Sequence, residues 1–127
     1  MTPKLLVVDD EPHILMLLEQ SLEALEEAGV ELLTATNGAD ALDLIRTERP
    51  RLVILDVMMP KMNGFDVCRA VKEDLSLSNT IVILLTAKGQ EADRATGQTA
   101  GADHYLTKPF DPRQLRARCA ELLDVEL

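Results

Sequence analysis

The sequence predicts an α/β fold built around a five-stranded parallel sheet flanked by five helices. Short apolar segments alternate with longer segments of helical periodicity along the whole chain, as repeated strand–helix units do. Three of the apolar segments carry no polar residue in their interior, as expected of strands that helices cover on both faces. With 127 residues and a 46% hydrophobic composition, the chain is predicted to form one domain with its own core.

The first two strand–helix units are predicted from turn and cap residues. The first strand covers Lys4–Val8, and the following helix begins at Pro12, a residue favoured in the first turn of helices. Gly29 is predicted to end this helix. The second strand covers Glu31–Ala35, and Asn37 is predicted to cap the second helix.

The remaining elements continue the same alternation. They are a strand over residues 52–55, a helix from Gly64, a strand over residues 81–85, a helix within residues 90–100, a short strand over residues 104–106 and a helix capped by Asp111. The second strand carries polar residues and the fifth is short, so both are predicted at sheet edges, in the order 2-1-3-4-5. Right-handed crossovers then place the first and fifth helices on one face and the other three on the opposite face.

Charge and cysteine content exclude several classes of function. Asp and Glu number 22 against 13 Lys and Arg, a net charge of −9, which disfavours direct binding to nucleic acid or to an anionic membrane. The first apolar run is followed at once by acids, unlike a signal peptide, and no run approaches the ~20 residues of a membrane span. Two cysteines without metal-ligand spacing predict a cytoplasmic protein with free thiols.

Acidic residues follow two strands that this order makes neighbours. Asp9 and Asp10 follow the first strand, and Asp56 follows the third. Ligand sites in such sheets form outside the carboxyl ends of the strands, where the strand order reverses, and that point lies between these two strands. Taken alone, Asp9 and Asp10 could equally begin the next helix, where carboxylates suit the helix dipole. Together with Asp56 they predict a cluster of three carboxylates.

This cluster predicts a magnesium site. Carboxylates without a counter-charge repel one another, and a hard divalent cation with oxygen ligands relieves that repulsion. Thr86 and Lys108 end the fourth and fifth strands at the same edge, so a hydroxyl and an amine could bind phosphoryl oxygens there. Taken alone, Thr86 would be an ordinary strand-end residue and Lys108 a solvated amine. The combination favours phosphoryl transfer, with Asp56 as a possible nucleophile.

Four segments match a known family: VVDDE, ILDVMMPKMNG, LLTA and YLTKPF. In this order and at these spacings they resemble the receiver domain of response regulators in two-component signal transduction, over about residues 3–123. The resemblance implies a single receiver domain over residues 1–127 with a flavodoxin-like (CheY-like) fold, and this strand order is also that of the chemotaxis member of the family. It further implies a cis peptide bond between Lys108 and Pro109.

The resemblance implies a signalling role rather than a conventional enzyme. Asp56 would accept a phosphoryl group from a sensor histidine kinase or a histidine phosphotransfer protein, and the domain would catalyse only its own phosphorylation and dephosphorylation. Asp10 and Asp56 would bind Mg²⁺ through their side chains, Asp9 would act partly through water, and the backbone carbonyl of Met58 would complete the protein ligands.

The resemblance also implies how the signal leaves the domain. Lys108 and Thr86 would bind phosphoryl oxygens, and Thr86 together with Tyr105 would act as the switch. The surface that responds would be formed by the fourth helix, the fifth strand and the fifth helix. Some members of the family form homodimers through this surface.

Two other functions compete with this interpretation. A magnesium-dependent phosphatase with an aspartyl-phosphate intermediate would need a second acid and a substrate cap, for which the chain has no spare sequence. A flavodoxin-like nucleotide or flavin binder would need a glycine-rich or hydroxyl-rich loop after the first strand. The segment VVDDEP is instead acidic, and few aromatic residues are present to stack on a flavin.

Overall fold

Over the residues that the structure describes, strands and helices follow one another in the order that the sequence predicts. The computed structural model describes residues 2–74, 76–77, 79–87 and 100–127. Their elements are β1 (Lys4–Val8), α1 (Pro12–Ser21), α2 (Glu23–Glu27), β2 (Glu31–Ala35), α3 (Gly38–Glu48), β3 (Leu52–Asp56), α4 (Gly64–Glu73), β4 (Ile81–Ala87), β5 (His104–Lys108) and α5 (Pro112–Leu123). The strands pair in parallel in the order β2-β1-β3-β4-β5, which confirms the predicted topology.

One predicted helix is divided in two, and another lies outside the described residues. The single helix expected between Pro12 and Gly29 is two helices, because the chain leaves helical geometry at Leu22. Just before this break, the Ser21 hydroxyl donates to the Leu17 carbonyl at 2.7 Å, a local bond of the kind that bends helices. The helix predicted within residues 90–100 lies outside the described residues, except for Ala100.

The last two strands are longer than the hydrophobic pattern predicts. β4 continues to Ala87 and β5 to Lys108, with Thr86 opposite Thr107 and Ala87 opposite Lys108. In each strand, backbone pairing therefore includes two further residues, whose side chains are not large and apolar. Hydrophobic periodicity reports side-chain burial and not backbone hydrogen bonding, so it places both strand ends too early.

The sheet separates two hydrophobic cores. One core packs β-strand side chains such as Leu5 and Val7 against α1, α2 and α5, and the other packs Leu6 and Val8 against α3 and α4. This confirms the predicted faces for the described helices. Cys68 and Cys119 belong to opposite cores, and both are buried free thiols, as expected.

Side-chain caps fix where α3 and α4 begin. The Asn37 side chain accepts a hydrogen bond from the Asp40 N–H at 2.8 Å, which confirms the predicted cap of α3. Asn63 and Asp66 form a reciprocal capping box at the start of α4. These starts lie at the edge of the sheet where the strands end. Among the described residues, no helix is long and apolar enough to cross a membrane.

Candidate functional site

Three carboxylates meet at the carboxyl ends of β1 and β3. One oxygen from each of Asp9, Asp10 and Asp56 lies within 4.8 Å of the other two. Asp9 is fully buried and Asp56 is 3% exposed, whereas Asp10 is more open to solvent. Because β1 and β3 pair in parallel, the residues that end the two strands emerge side by side. The predicted acidic cluster is therefore present.

Lys108 supplies the counter-charge from the far edge of the sheet. Its Nζ lies 3.0 Å from Asp9 Oδ2 and 3.0 Å from Asp56 Oδ1, so a single amine bridges the ends of two strands. The amine reaches them from β5, past the end of β4. The peptide bond that follows Lys108 is cis, as the family resemblance implies.

Burial and ion pairing act in opposite directions on the pKa of each charged group in this site. Desolvation by burial raises the pKa of Asp56 to about 6, and the negative charge of Asp9 adds to this effect, although the hydrogen bond from Lys108 opposes it. Burial alone would lower the pKa of Lys108, but its hydrogen bonds to Asp56 and Asp9 raise the pKa above its ordinary value. The amine is therefore a permanent cation, while ionised Asp56 is incompletely compensated.

Asp9 acts both as a helix-start acid and as a member of the carboxylate cluster, the two roles that the sequence left open. Its Oδ1 accepts the Glu11 N–H at 2.9 Å, just before α1, as a helix-start acid would. Its Oδ2 accepts from Lys108 in the cluster. A carboxylate has enough lone pairs for both roles, so the local turn and the charged site share one side chain.

Met58 contacts Asp56 through the backbone. Its N–H donates to Asp56 Oδ1 at 3.4 Å, and its side chain is 62% exposed beside the site.

Thr86 and Tyr105 lie on β4 and β5, beyond the two strands whose ends carry the three acids. Thr86 is buried, and its hydroxyl donates a long 3.5 Å hydrogen bond to the Leu106 carbonyl on β5. Tyr105 is half-buried and packs on the core that faces α3 and α4. The structure thus brings the three acids together and pairs two of them with Lys108, and it leaves the Thr86 hydroxyl bonded to the neighbouring strand.

Gly64 supports the site but was not singled out from the sequence. A Cβ at Gly64 would lie 2.5 Å from the Asp56 carbonyl oxygen and 3.0 Å from the Val57 Cα. Only glycine lets the start of α4 approach the backbone of Asp56 this closely. A glycine after an acidic strand end hints at such an approach, but the sequence alone also allows an ordinary turn.

The donor set fits a hard divalent cation. The cluster found among the described residues consists of carboxylates alone, and two of them are almost completely removed from water. Oxygen-only ligands suit Mg²⁺ and not the softer metals that prefer nitrogen or sulfur. Partial neutralisation by one lysine leaves negative charge for a cation to offset. The acidic triad is consistent with a divalent metal site.

Sequence comparison identifies the family. Residues 5–120 match the model of the response regulator receiver domain. The ycf27 protein of Porphyra purpurea is 47% identical over 120 residues, which cover 94% of this chain and 47% of that protein. The alkaline phosphatase synthesis transcriptional regulatory protein PhoP of Bacillus subtilis is 42% identical over 123 residues, which cover 97% of this chain and 49% of that protein. The chain thus spans about half the length of these relatives.

Solved structures share both the fold and much of the sequence. The BeF3-activated receiver domain of DrrB is 38% identical, with a TM-score of 0.84 over 98% of this chain and 99% of that one. The Vibrio cholerae chemotaxis protein CheY4 is 32% identical, with a TM-score of 0.84 over 97% of this chain and 100% of that one. With its acidic pocket at the carboxyl ends of β1 and β3, the chain belongs to the response regulator receiver domain family of two-component signal transduction.

Proposed function

We propose that Asp56 accepts a phosphoryl group from the phosphohistidine of a sensor histidine kinase or a histidine phosphotransfer protein. One observation carries this proposal: Asp56 ends the strand at the middle of the site, beside two further acids and 3.0 Å from a lysine amine. A receiver domain implies a histidine kinase partner and is a phosphoacceptor module rather than a conventional enzyme. In the proposal, the domain promotes only its own phosphorylation and dephosphorylation.

The proposed transfer needs little covalent chemistry from the domain. The P–N bond of the phosphohistidine breaks, its electron pair returns to the imidazole nitrogen, and an Asp56 oxygen forms the new P–O bond. A carboxyl with a pKa of about 6 is mostly ionised at neutral pH and is therefore available as the nucleophile. Lys108, already 3.0 Å from Asp56, then contacts a phosphoryl oxygen.

The proposed metal ligands are the side chains of Asp9, Asp10 and Asp56 and the backbone carbonyl of Met58. Mg²⁺ bound there supplies positive charge that offsets the phosphoryl oxygens during transfer. Asp9 is already held by Lys108 and by the Glu11 N–H, so its carboxylate is oriented before any cation binds.

The proposed switch couples Thr86 to Tyr105. The 3.5 Å hydrogen bond from Thr86 to Leu106 is long, so the hydroxyl can exchange it for a phosphoryl oxygen at low cost. Movement of Thr86 opens space beside β5, into which the half-buried ring of Tyr105 turns. The surface of β5, α5 and the segment preceding Ala100 then changes, through a shift between two populated states.

The proposal extends to partners and location. The phosphorylated domain forms a homodimer through the same surface, which size-exclusion chromatography with and without phosphodonor would detect.

PhoP is named as a transcriptional regulatory protein, so control of transcription is a candidate output, without DNA contact by this acidic domain itself. A cytoplasmic location agrees with two buried free thiols.

Incubation with acetyl phosphate and Mg²⁺ tests the proposal. Mass spectrometry should find one phosphoryl group per chain, on Asp56 and lost slowly. Sustained hydrolysis of varied phosphoesters would instead indicate a phosphatase. An absence of labelling at saturating Mg²⁺ would indicate a domain that only binds its ligands.

A further inference from the structure

The loop after Asp56 forms one wall of the acidic site. This β3–α4 loop, residues 57–63, carries Met58, whose N–H donates to Asp56 Oδ1. Both ends of the loop are fixed, because the Val57 N–H donates to the Leu85 carbonyl at 3.1 Å and the Gly64 N–H donates to the Val57 carbonyl at 3.1 Å. Between these ends, the buried Met59 side chain packs in the core and its N–H donates to the Val57 carbonyl at 3.2 Å.

The C-terminal part of the loop, at Met62, rests on Gly38, the first residue of α3. A Cβ built on Gly38 would overlap the Met62 carbonyl oxygen and would lie 2.9 Å from Met62 Cγ. The nearest atom belongs to the backbone, so rotation of a side chain cannot relieve the overlap. Gly38 is buried and lies 24 positions before Met62 in the chain, so this contact exists only in the folded domain.

A larger residue at position 38 would displace the loop rather than α3. The helix is fixed by the Asn37 cap and by Ala41 and Ile45, both fully buried in the core. The loop has fewer buried groups than the helix, because Met58, Pro60 and Lys61 are exposed and Met59 is the buried residue between Met58 and Met62. Displacement at Met62 would therefore pass back along the loop, shifting Met59, to the backbone of Met58.

We infer that Gly38 is a positioning residue for the acidic site: through Met62 it sets where the backbone of Met58 lies beside Asp56. This inference rests on the proposed function, in which the Met58 carbonyl is a magnesium ligand. Partners behind metal ligands commonly control affinity by 10–100-fold, and a loop displaced by a fraction of an ångström acts in the same way. Gly38 itself touches neither the metal nor the phosphoryl group.

The test compares three variants. Gly38→Ala should weaken Mg²⁺ binding, measured by NMR titration, by roughly tenfold, and Met62→Ala should weaken it less, by roughly twofold to threefold. Gly29→Ala is the matched control, because its φ of 104° makes alanine strained while no atom lies within 4 Å of the new Cβ. It should lower the free energy of unfolding and leave Mg²⁺ affinity unchanged, because Gly29 lies before the start of β2, at the end of the sheet away from the acidic cluster.

A second readout separates positioning from loss of stability. In the metal-free proteins, the amide chemical shifts of residues 57–63 should change in Gly38→Ala and Met62→Ala and stay the same in Gly29→Ala.

Unchanged affinity and unchanged loop shifts in a folded Gly38→Ala protein, or an equal loss of affinity in Gly29→Ala, would overturn the inference. If Gly38→Ala does not fold, Met62→Ala decides by the same two measurements. Failure of the wild type to bind Mg²⁺ would contradict the proposed function as well, whereas normal wild-type binding with an unaffected variant would contradict the inference alone.

Discussion

Two charged clusters lie at opposite ends of the strands and differ in how well their charges are matched. At the start of β4, Lys72 Nζ lies 2.8 Å from Asp103 Oδ2 and donates to the Thr80 carbonyl at 2.7 Å, while Asp103 accepts the Val82 N–H at 2.8 Å. One cation there meets one anion, and each has a further hydrogen-bond partner. At the ends of β1 and β3, three acids come together, and among the described residues Lys108 pairs with two of them, Asp9 and Asp56, which are almost fully buried.

The difference indicates which cluster supports the fold and which is held for ligand binding. A matched pair with satisfied hydrogen bonds stabilises the ends that it joins. A buried and under-compensated cluster costs stability, and the raised pKa of Asp56, caused first by burial and then by the charge of Asp9, reflects that cost. Removing a charge should therefore have opposite consequences at the two clusters.

The largest expected effect is on phosphorylation. Asp56→Asn should abolish labelling by acetyl phosphate, because the amide lacks the nucleophilic carboxylate oxygen. Asp103→Asn removes an acid from the matched cluster and should be labelled like the wild type. Intact-mass spectrometry measures both, and a phosphoryl adduct on the Asp56→Asn protein at wild-type stoichiometry would refute the assignment of Asp56.

Magnesium should stabilise the domain through the acidic cluster. At a Mg²⁺ concentration of 100 times Kd, the free energy of unfolding should rise by about 2.7 kcal/mol, because the unfolded chain has no such site. Asp10→Asn should lose most of this gain, and Asp103→Asn should keep it. Thermal unfolding followed by circular dichroism gives the comparison. Equal responses of wild type and Asp10→Asn would show that Asp10 is not a ligand.

The metal-free protein should lose stability as Asp56 ionises. Its pKa rises from 3.8 to about 6 on folding, so the folded state retains a proton that the unfolded state releases. This contribution is full below about pH 4, is lost as the pH rises to about 6, and stays absent above that. Asp56→Asn should therefore be more stable than the wild type by about 1–2 kcal/mol at pH 7.5 and by much less at pH 4. Urea unfolding at both pH values measures the difference, and a difference that does not change with pH would contradict this account.

The smallest expected effect has the opposite sign. Lys72→Met should lower the free energy of unfolding by about 1 kcal/mol, because Asp103 loses its cation and the Thr80 carbonyl loses a donor. Labelling at Asp56 should be unchanged. If Lys72→Met proves stabilising, as Asp56→Asn is expected to be, the contrast between the two clusters does not hold.

Sequence patterning anticipated much of the site, since parallel strands bring their ends together once the strand order is known. Asp9, Asp10 and Asp56 were predicted as a cluster on this basis, and the structure places them within 4.8 Å. The bridging of Asp9 and Asp56 by one amine was not predicted. It depends on how far the Lys108 side chain reaches past the end of β4, which no spacing in the sequence records.

The sequence by itself determined the element order, the sheet topology, the two cores and the identity of the strand-end residues, because hydrophobic period and turn chemistry are local properties. Only the tertiary structure decided the bond from Thr86 to Leu106 and the contact of Met62 with Gly38. Each of these contacts joins segments 20 or more positions apart. Such contacts follow from the packing of several elements at once, so they form only when the whole domain has folded.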